Sequence, residues 1–194
     1  MGTRRRLRSL VQACTLGAAL MLTGVTRAET TVPIDLQVEL LRKVVRFERG
    51  FASRAGARVG VLLVVLPDSA ASERAASQIA KALERSPEIA GKPIKLTVHR
   101  YASPSALKRS IAQESASIVY LTPGPDGELA AIASALEGVQ VVTISTDGDQ
   151  VDRGIVLGFE LVSAHPKIDL NITQARKQGL DFDSDLLRLA KVVK

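Results

Sequence analysis

At 194 residues, with 46% hydrophobic and 24% charged residues of both signs, the chain has the make-up of one globular domain, which excludes intrinsic disorder and a bundle of membrane spans. Aromatic residues are 3% of the sequence and Trp is absent, which excludes a platform on which nucleic-acid bases stack. Arg4, Arg5, Arg6, Arg8 and Arg27 precede residue 29 with no acidic residue among them; removing these five from the formal charge of +6 leaves about +1, so the electrostatic case for nucleic acid falls.

Residues 1–28 read as a secretory leader. Arg4 to Arg8 supply the charged start, residues 10–25 an apolar stretch through Leu16, Leu20, Met21 and Leu22, and Thr26-Arg27-Ala28 the small residues before a cut after Ala28. The stretch is short for a bilayer span and is broken by Gly17, Thr23 and Gly24. Export across the inner membrane to the periplasm is therefore expected, by the general secretory or the twin-arginine route. The single cysteine, Cys14, lies inside this leader, so residues 29–194 hold no disulfide, thiol nucleophile or thiolate metal ligand.

Residues 33–50 predict an amphipathic helix, with Leu36, Leu40, Val44 and Phe47 at near-helical spacing, Pro33 in the first turn and Gly50 at the stop. The run Val59 to Leu66 is too continuous for a strand with one wet face, and predicts a central strand covered on both sides. Helices over 69–84, from Ser103-Pro104 through Leu107 and Ile111, and over 128–136 alternate with strands over 94–101, 117–121 and 139–145. Four strands separated by three helices imply a mostly parallel sheet. Strands at 154–162 and 167–172 are joined by four residues, too few for a parallel crossover, so they predict an antiparallel hairpin. A short helix over 173–178 stops at Gly179, and a final helix starts at Asp183 or Ser184. The expected fold is α/β: one domain over 29–194, a mostly parallel sheet with helices on both faces, a C-terminal antiparallel hairpin added to the sheet, and a final helix.

No catalytic set is legible. His99 and His165 fall on a strand and in the hairpin turn, where structural or surface roles are expected. Ser69, in Leu66-Pro67-Asp68-Ser69-Ala70, reads as a helix cap because the Gly-x-Ser-x-Gly turn of a serine hydrolase is missing. The acidic segment from Asp147 to Asp152 fails as a calcium loop, because Val151 takes a ligand position and Gly158 stands where a bidentate Glu is needed. There is no phosphate loop and no Gly-x-Gly-x-x-Gly after the first strand. No cofactor and no metal are expected.

Ligands of open parallel sheets collect outside the carboxyl ends of the strands, near the point where strand order reverses. The loops there carry Asp68, Ser69, Thr122, Asp126, Thr146 and Asp147, which supply hydroxyls, carboxylates and helix starts fit for a small polar ligand. The other reading of the same residues is that they are caps and turns.

The C-terminal third resembles the YfiR family of periplasmic proteins. The matching stretches are Val141-Val142-Thr143-Ile144-Ser145, Gly154-Ile155-Val156, Lys167-Ile168-Asp169-Leu170-Asn171-Ile172, Ala175, Gly179-Leu180 and Ser184-Asp185-Leu186-Leu187-Arg188-Leu189-Ala190-Lys191-Val192-Val193. Leu40-Leu41-Arg42-Lys43-Val44-Val45-Arg46-Phe47 resembles the family's opening helix. The resemblance implies a regulatory binding protein, often a dimer, that represses a membrane-bound diguanylate cyclase by docking on its periplasmic part and so lowers cyclic di-GMP inside the cell. An inner-membrane cyclase or sensor is the implied partner. A periplasmic small-solute binder using the crevice loops is the alternative. The cysteine pairs of the best-known members have no counterpart here, and their Gly-Gly near the penultimate strand stands as Arg153-Gly154.

Overall fold

Strand β1 (Val59–Val65) has seven consecutive buried residues, and its alternation divides the interior in two. Val61, Leu63 and Val65 point into one core, whereas Leu62 and Val64 point into the other. A strand buried on both faces needs a layer of helices on each side. The computed structural model, which describes residues 31–193, supplies them. Helices α1 (Ile34–Val44) and α3 (Ala70–Arg85) cover one face through Val38, Leu41, Val44, Ala76, Ile79 and Leu83; α4 (Pro104–Glu114) and α5 (Leu129–Ala135) cover the other through Leu107, Ile111, Leu129 and Ile132.

Among the described residues the sheet has eight strands. β2 (Glu88–Ile89) and β3 (Lys92–Arg100) lie on one side of β1; β4 (Ala116–Leu121), β5 (Val142–Ser145), β6 (Leu157–Val162), β7 (His165–Asn171) and β8 (Lys191–Val193) follow on the other, giving the order β2-β3-β1-β4-β5-β6-β7-β8. β3, β1, β4, β5 and β6 run parallel, and β6 and β7 form the antiparallel hairpin, so the expected mixed sheet is the observed one. The short helices α2 (Phe51–Arg54), α6 (Ile172–Lys177) and α7 (Ser184–Leu189) complete the chain. Among the described residues no helix is long and apolar enough to cross a membrane. The leader expected over residues 1–28 lies outside the described residues.

Two corrections concern small elements. The helix expected over 33–50 ends at Val44; a 3-10 turn over Val45–Phe47 follows, and α2 begins after Gly50. Strands β2 and β8, of two and three residues, were not expected. Gly60 explains why β4 can approach β1 at a register shift. A Cβ there would stand 2.7 Å from the Ser115 carbonyl oxygen and 3.0 Å from the Ala116 Cα, both backbone atoms that cannot turn aside.

The hairpin turn carries strain. Val162 pairs with His165, so Ser163 and Ala164 form a two-residue loop, and both hold positive φ, 51° and 62°. That geometry favours Asn and Gly, and a side chain in it costs about 1–2 kcal/mol. Ala164→Gly is therefore expected to raise stability by about 1 kcal/mol, read as a higher urea midpoint at unchanged slope. A lowered midpoint would show that the turn is held by contacts of the alanine methyl.

Candidate functional site

In a sheet of this topology the crevice should open between β1 and β4, because α3 and α4 leave β1 and β3 toward opposite faces. Here the polar groups along the crevice are bonded to one another. Ser72 Oγ accepts from the Leu66 amide at 2.8 Å and shares a 2.5 Å hydrogen bond with Thr122 Oγ1. Thr122 Oγ1 donates in turn to the Val64 carbonyl at 2.7 Å. Leu66 fills the remaining space, its methyl carbons 3.4 Å from where a Gly124 Cβ would stand.

The six residues expected in the crevice therefore divide. Ser69 caps α3, its side chain accepting from the Ser72 amide at 3.2 Å, and Thr122 is fully buried in that bonded set. Asp68 is exposed on the turn before them, with φ 60°. Asp126 bridges two loops: its carboxylate accepts from Gln150 Nε2 and Arg153 Nη1, each at 3.0 Å, and its carbonyl accepts from Arg153 Nη2. Thr146 and Asp147, at the carboxyl end of β5, do come together, in a cleft of about 650 Å³.

That cleft has walls the sequence did not point to. Its lining adds the start of α1 (Pro33, Ile34, Asp35) and one side of α3 (Ala75, Gln78, Lys81, Arg85), with Pro123 from the end of β4. One residue holds these walls in register. Gln37, fully buried in the first turns of α1, donates from Nε2 to the Val32 carbonyl at 2.8 Å and to the Thr146 carbonyl at 3.1 Å. Its Oε1 accepts from the Tyr120 hydroxyl at 2.7 Å. Burial raises the Tyr120 phenol above its ordinary range, so it stays a donor at any physiological pH. Arg85 closes the side of the cleft by pairing with Asp35. The signal for Gln37 in the sequence was faint: a polar residue one step from the apolar stripe reads as solvent-facing.

A second polar cluster lies under the hairpin. Asp169 on β7 is 2% exposed, and its Oδ1 has no hydrogen-bond partner, although Lys191 Nζ of β8 stands 3.5 Å away as an ion pair. Burial first, then the Glu160 carboxylate on β6, pushes the Asp169 carboxyl up to about 6; Lys191 opposes them and Asp152 adds slightly. A carboxyl raised above its unfolded value keeps its proton longer in the folded chain. Its favourable contribution is thus complete below about pH 4 and is lost as pH rises through about 6. Asp169→Asn is expected to flatten this slope and to raise stability at neutral pH by on the order of 2 kcal/mol. Urea unfolding at about pH 4.5 and about pH 7.5 measures it; an unchanged slope in the variant would contradict the assignment.

His99 lies on a strand as expected, whereas His165, expected in the hairpin turn, is the first residue of β7. His99 Nδ1 lies 3.0 Å from Ser110 Oγ, and burial lowers the ring's proton affinity, whereas His165 is exposed in the hairpin. The acidic segment after β5 is a 3-10 turn over Gly148–Arg153, with Asp147 Oδ1 accepting from the Asp149 amide at 3.1 Å.

Comparison with known proteins agrees with this architecture. A conserved domain protein from Vibrio cholerae superposes with a TM-score of 0.60 at 13% identity, over 84% of this chain and 60% of that one. The ligand-free, open form of a substrate binding protein with adhesive properties from Clostridium difficile gives a TM-score of 0.57 at 12% identity, with the same coverage. So does an ABC domain in complex with L-Trp from Streptococcus pneumonia, at 0.57 and 12%. The chain spans 60% of the length of each of these structures, and at such identities the likeness is one of fold. No curated protein matches the sequence significantly. The model of the YfiR/HmsC-like family, by contrast, matches residues 35–191, from the first turn of α1 into β8. The chain belongs to the YfiR/HmsC-like family.

Proposed function

We propose that this protein regulates a membrane-bound signalling protein, such as a diguanylate cyclase or a sensor, by docking on its periplasmic part and thereby altering cyclic di-GMP output. One observation carries the reading: the family match runs through nearly all of the described fold, and that family supports a periplasmic regulatory protein.

The docking face is proposed at the β8 end of the sheet. β8 is the last strand in the order among the described residues, none of which pairs with its outer edge as a strand. Leu189, 66% exposed, and Val192, 37% exposed, stand beside that edge. The test is crosslinking in intact cells followed by identification of the captured membrane protein. Capture of one integral-membrane cyclase or sensor is expected, with Leu189→Asp and Val192→Asp each lowering it while thermal stability stays within about 0.5 kcal/mol. Absence of any such membrane protein from the crosslinked material would overturn the reading. Undiminished capture by both variants would move the docking face elsewhere.

A further inference from the structure

Three groups of the cleft beside β5 lack what would complete them. The first is the start of α1. This helix of 11 residues has Pro33 at its N-cap and no side chain accepting from its first amides; the acidic residue of its first turn, Asp35, is paired with Arg85, so those amides stand at the cleft without an acceptor among the described residues. A helix start alone is commonplace. The second is Thr146 on the cleft wall: it is 4% exposed, and its Oγ1 has no hydrogen-bond partner. Buried hydroxyls are nearly always paired, and the Gln37 bond to the Thr146 carbonyl holds the backbone that carries this one at the cleft wall. The third is Lys81, which stands one helical turn before Arg85 on α3 and forms no ion pair among the described residues.

The two carboxylates of the lining each accept a hydrogen bond, and that of Asp35 is paired with a cation. Asp35 accepts from Arg85, and Asp147 accepts from the Asp149 amide. What remains is a set of donors: the first amides of α1, the Thr146 hydroxyl and the Lys81 ammonium. Around them Val32, Ile34, Ala75 and Pro123 supply apolar wall. The volume, about 650 Å³, suits a small organic molecule. From this juxtaposition we infer that the cleft binds a small organic anion, an oxyanion head held by the α1 start, Thr146 and Lys81, with its apolar body against Val32 and Ile34. The inference stands apart from the docking reading, because the cleft lies at the ends of β4 and β5, not at the β8 edge, and needs no partner.

The probes are benzoate and phenyl phosphate, with benzyl alcohol as the uncharged control, titrated into the isotopically labelled chain and followed by amide NMR shifts. Saturable shifts at Ile34, Asp35 and Thr146 are expected with an anion and not with benzyl alcohol. Benzoate acting alone identifies a carboxylate head, and phenyl phosphate acting alone a phosphate. Lys81→Gln, at an exposed position that cannot harm the fold, is expected to weaken binding about five-fold or more, and Thr146→Val similarly, while Lys108→Gln on α4 leaves it unchanged. No saturable shift with either anion, equal shifts with benzyl alcohol, or unaltered affinity in Lys81→Gln would each overturn the inference.

Discussion

Replacing Gln37 with Leu lowers stability by about 3–5 kcal/mol, far more than the loss of one helix-surface amide, because three buried groups lose their partner together. The Tyr120 hydroxyl, the Val32 carbonyl and the Thr146 carbonyl all depend on this side chain. Each buried polar group left without a hydrogen bond costs about 1–3 kcal/mol, and a leucine of similar volume returns only part of that by burial. Tyr120→Phe alone is the milder change, about 1–2 kcal/mol. In the double variant the phenol no longer needs an acceptor, so the two losses should add to less than their sum. Urea unfolding of the four proteins gives the cycle. Strict additivity would mean that Gln37 and Tyr120 do not share one network, and that the α1 start is held to β5 by other contacts.

The second large effect is expected at Arg54. Glu48 is 3% exposed, yet its carboxylate is fully engaged: Oε2 accepts from Arg54 Nη2 at 2.7 Å, and Oε1 from the amides of Gly50 and Asp181, each at 3.2 Å. The last of these contacts crosses from the start of the fold to its end, and the Glu48–Phe182 bridge repeats the link in the backbone. Arg54→Leu leaves the carboxylate buried without its cation, which costs about 3–5 kcal/mol. Removing both charges, as Glu48→Gln with Arg54→Leu, should recover a good part of this, since the neutral amide still accepts from the two backbone N–H groups. Should the double variant be no better than Arg54→Leu, the loss comes from Arg54's packing and not from the orphaned charge.

Much of the architecture could be read in the sequence because it is written in long periodic signals. The unbroken run Val59 to Leu66 reads as a strand covered on both faces, and the four residues expected between the last two long strands, two in the structure, can only join antiparallel neighbours. Short elements were not legible. β2 rests on two pairs closed by the positive-φ residues Ala90 and Gly91, and β8 on three pairs with β7, neither long enough to show a period. The residues of β8 continue the apolar spacing of α7, and the chain leaves the helix only because Ala190 turns extended, which brings Lys191 to Asp169.

The site was legible to the extent that strand ends were. Thr146 and Asp147 follow β5 directly, so their place at the carboxyl edge follows from a parallel sheet. Asp35, Lys81 and Arg85 lie on helices far away in the chain, and which face of a helix meets the cleft is a tertiary matter. Gln37 shows the same limit. The apolar spacing centred the buried face of α1 on Leu36 and Leu40, yet these are partly exposed, and Gln37, Val38 and Leu41 take the interior. The helix is turned so that one buried amide can serve Tyr120 and Thr146. At the β1–β4 crevice the sequence could not show that Ser72, one turn into α3, reaches both Leu66 and Thr122.

The proposed regulation requires this chain to act from outside the inner membrane, through contact with a signalling protein that spans it. The decisive quantity is intracellular cyclic di-GMP, measured in cells lacking the native copy and supplied either with the whole chain or with residues 29–194 alone. The whole chain should lower the second messenger, and the form confined to the cytoplasm should not. Equal lowering by both forms, or no change with either, would contradict that regulation.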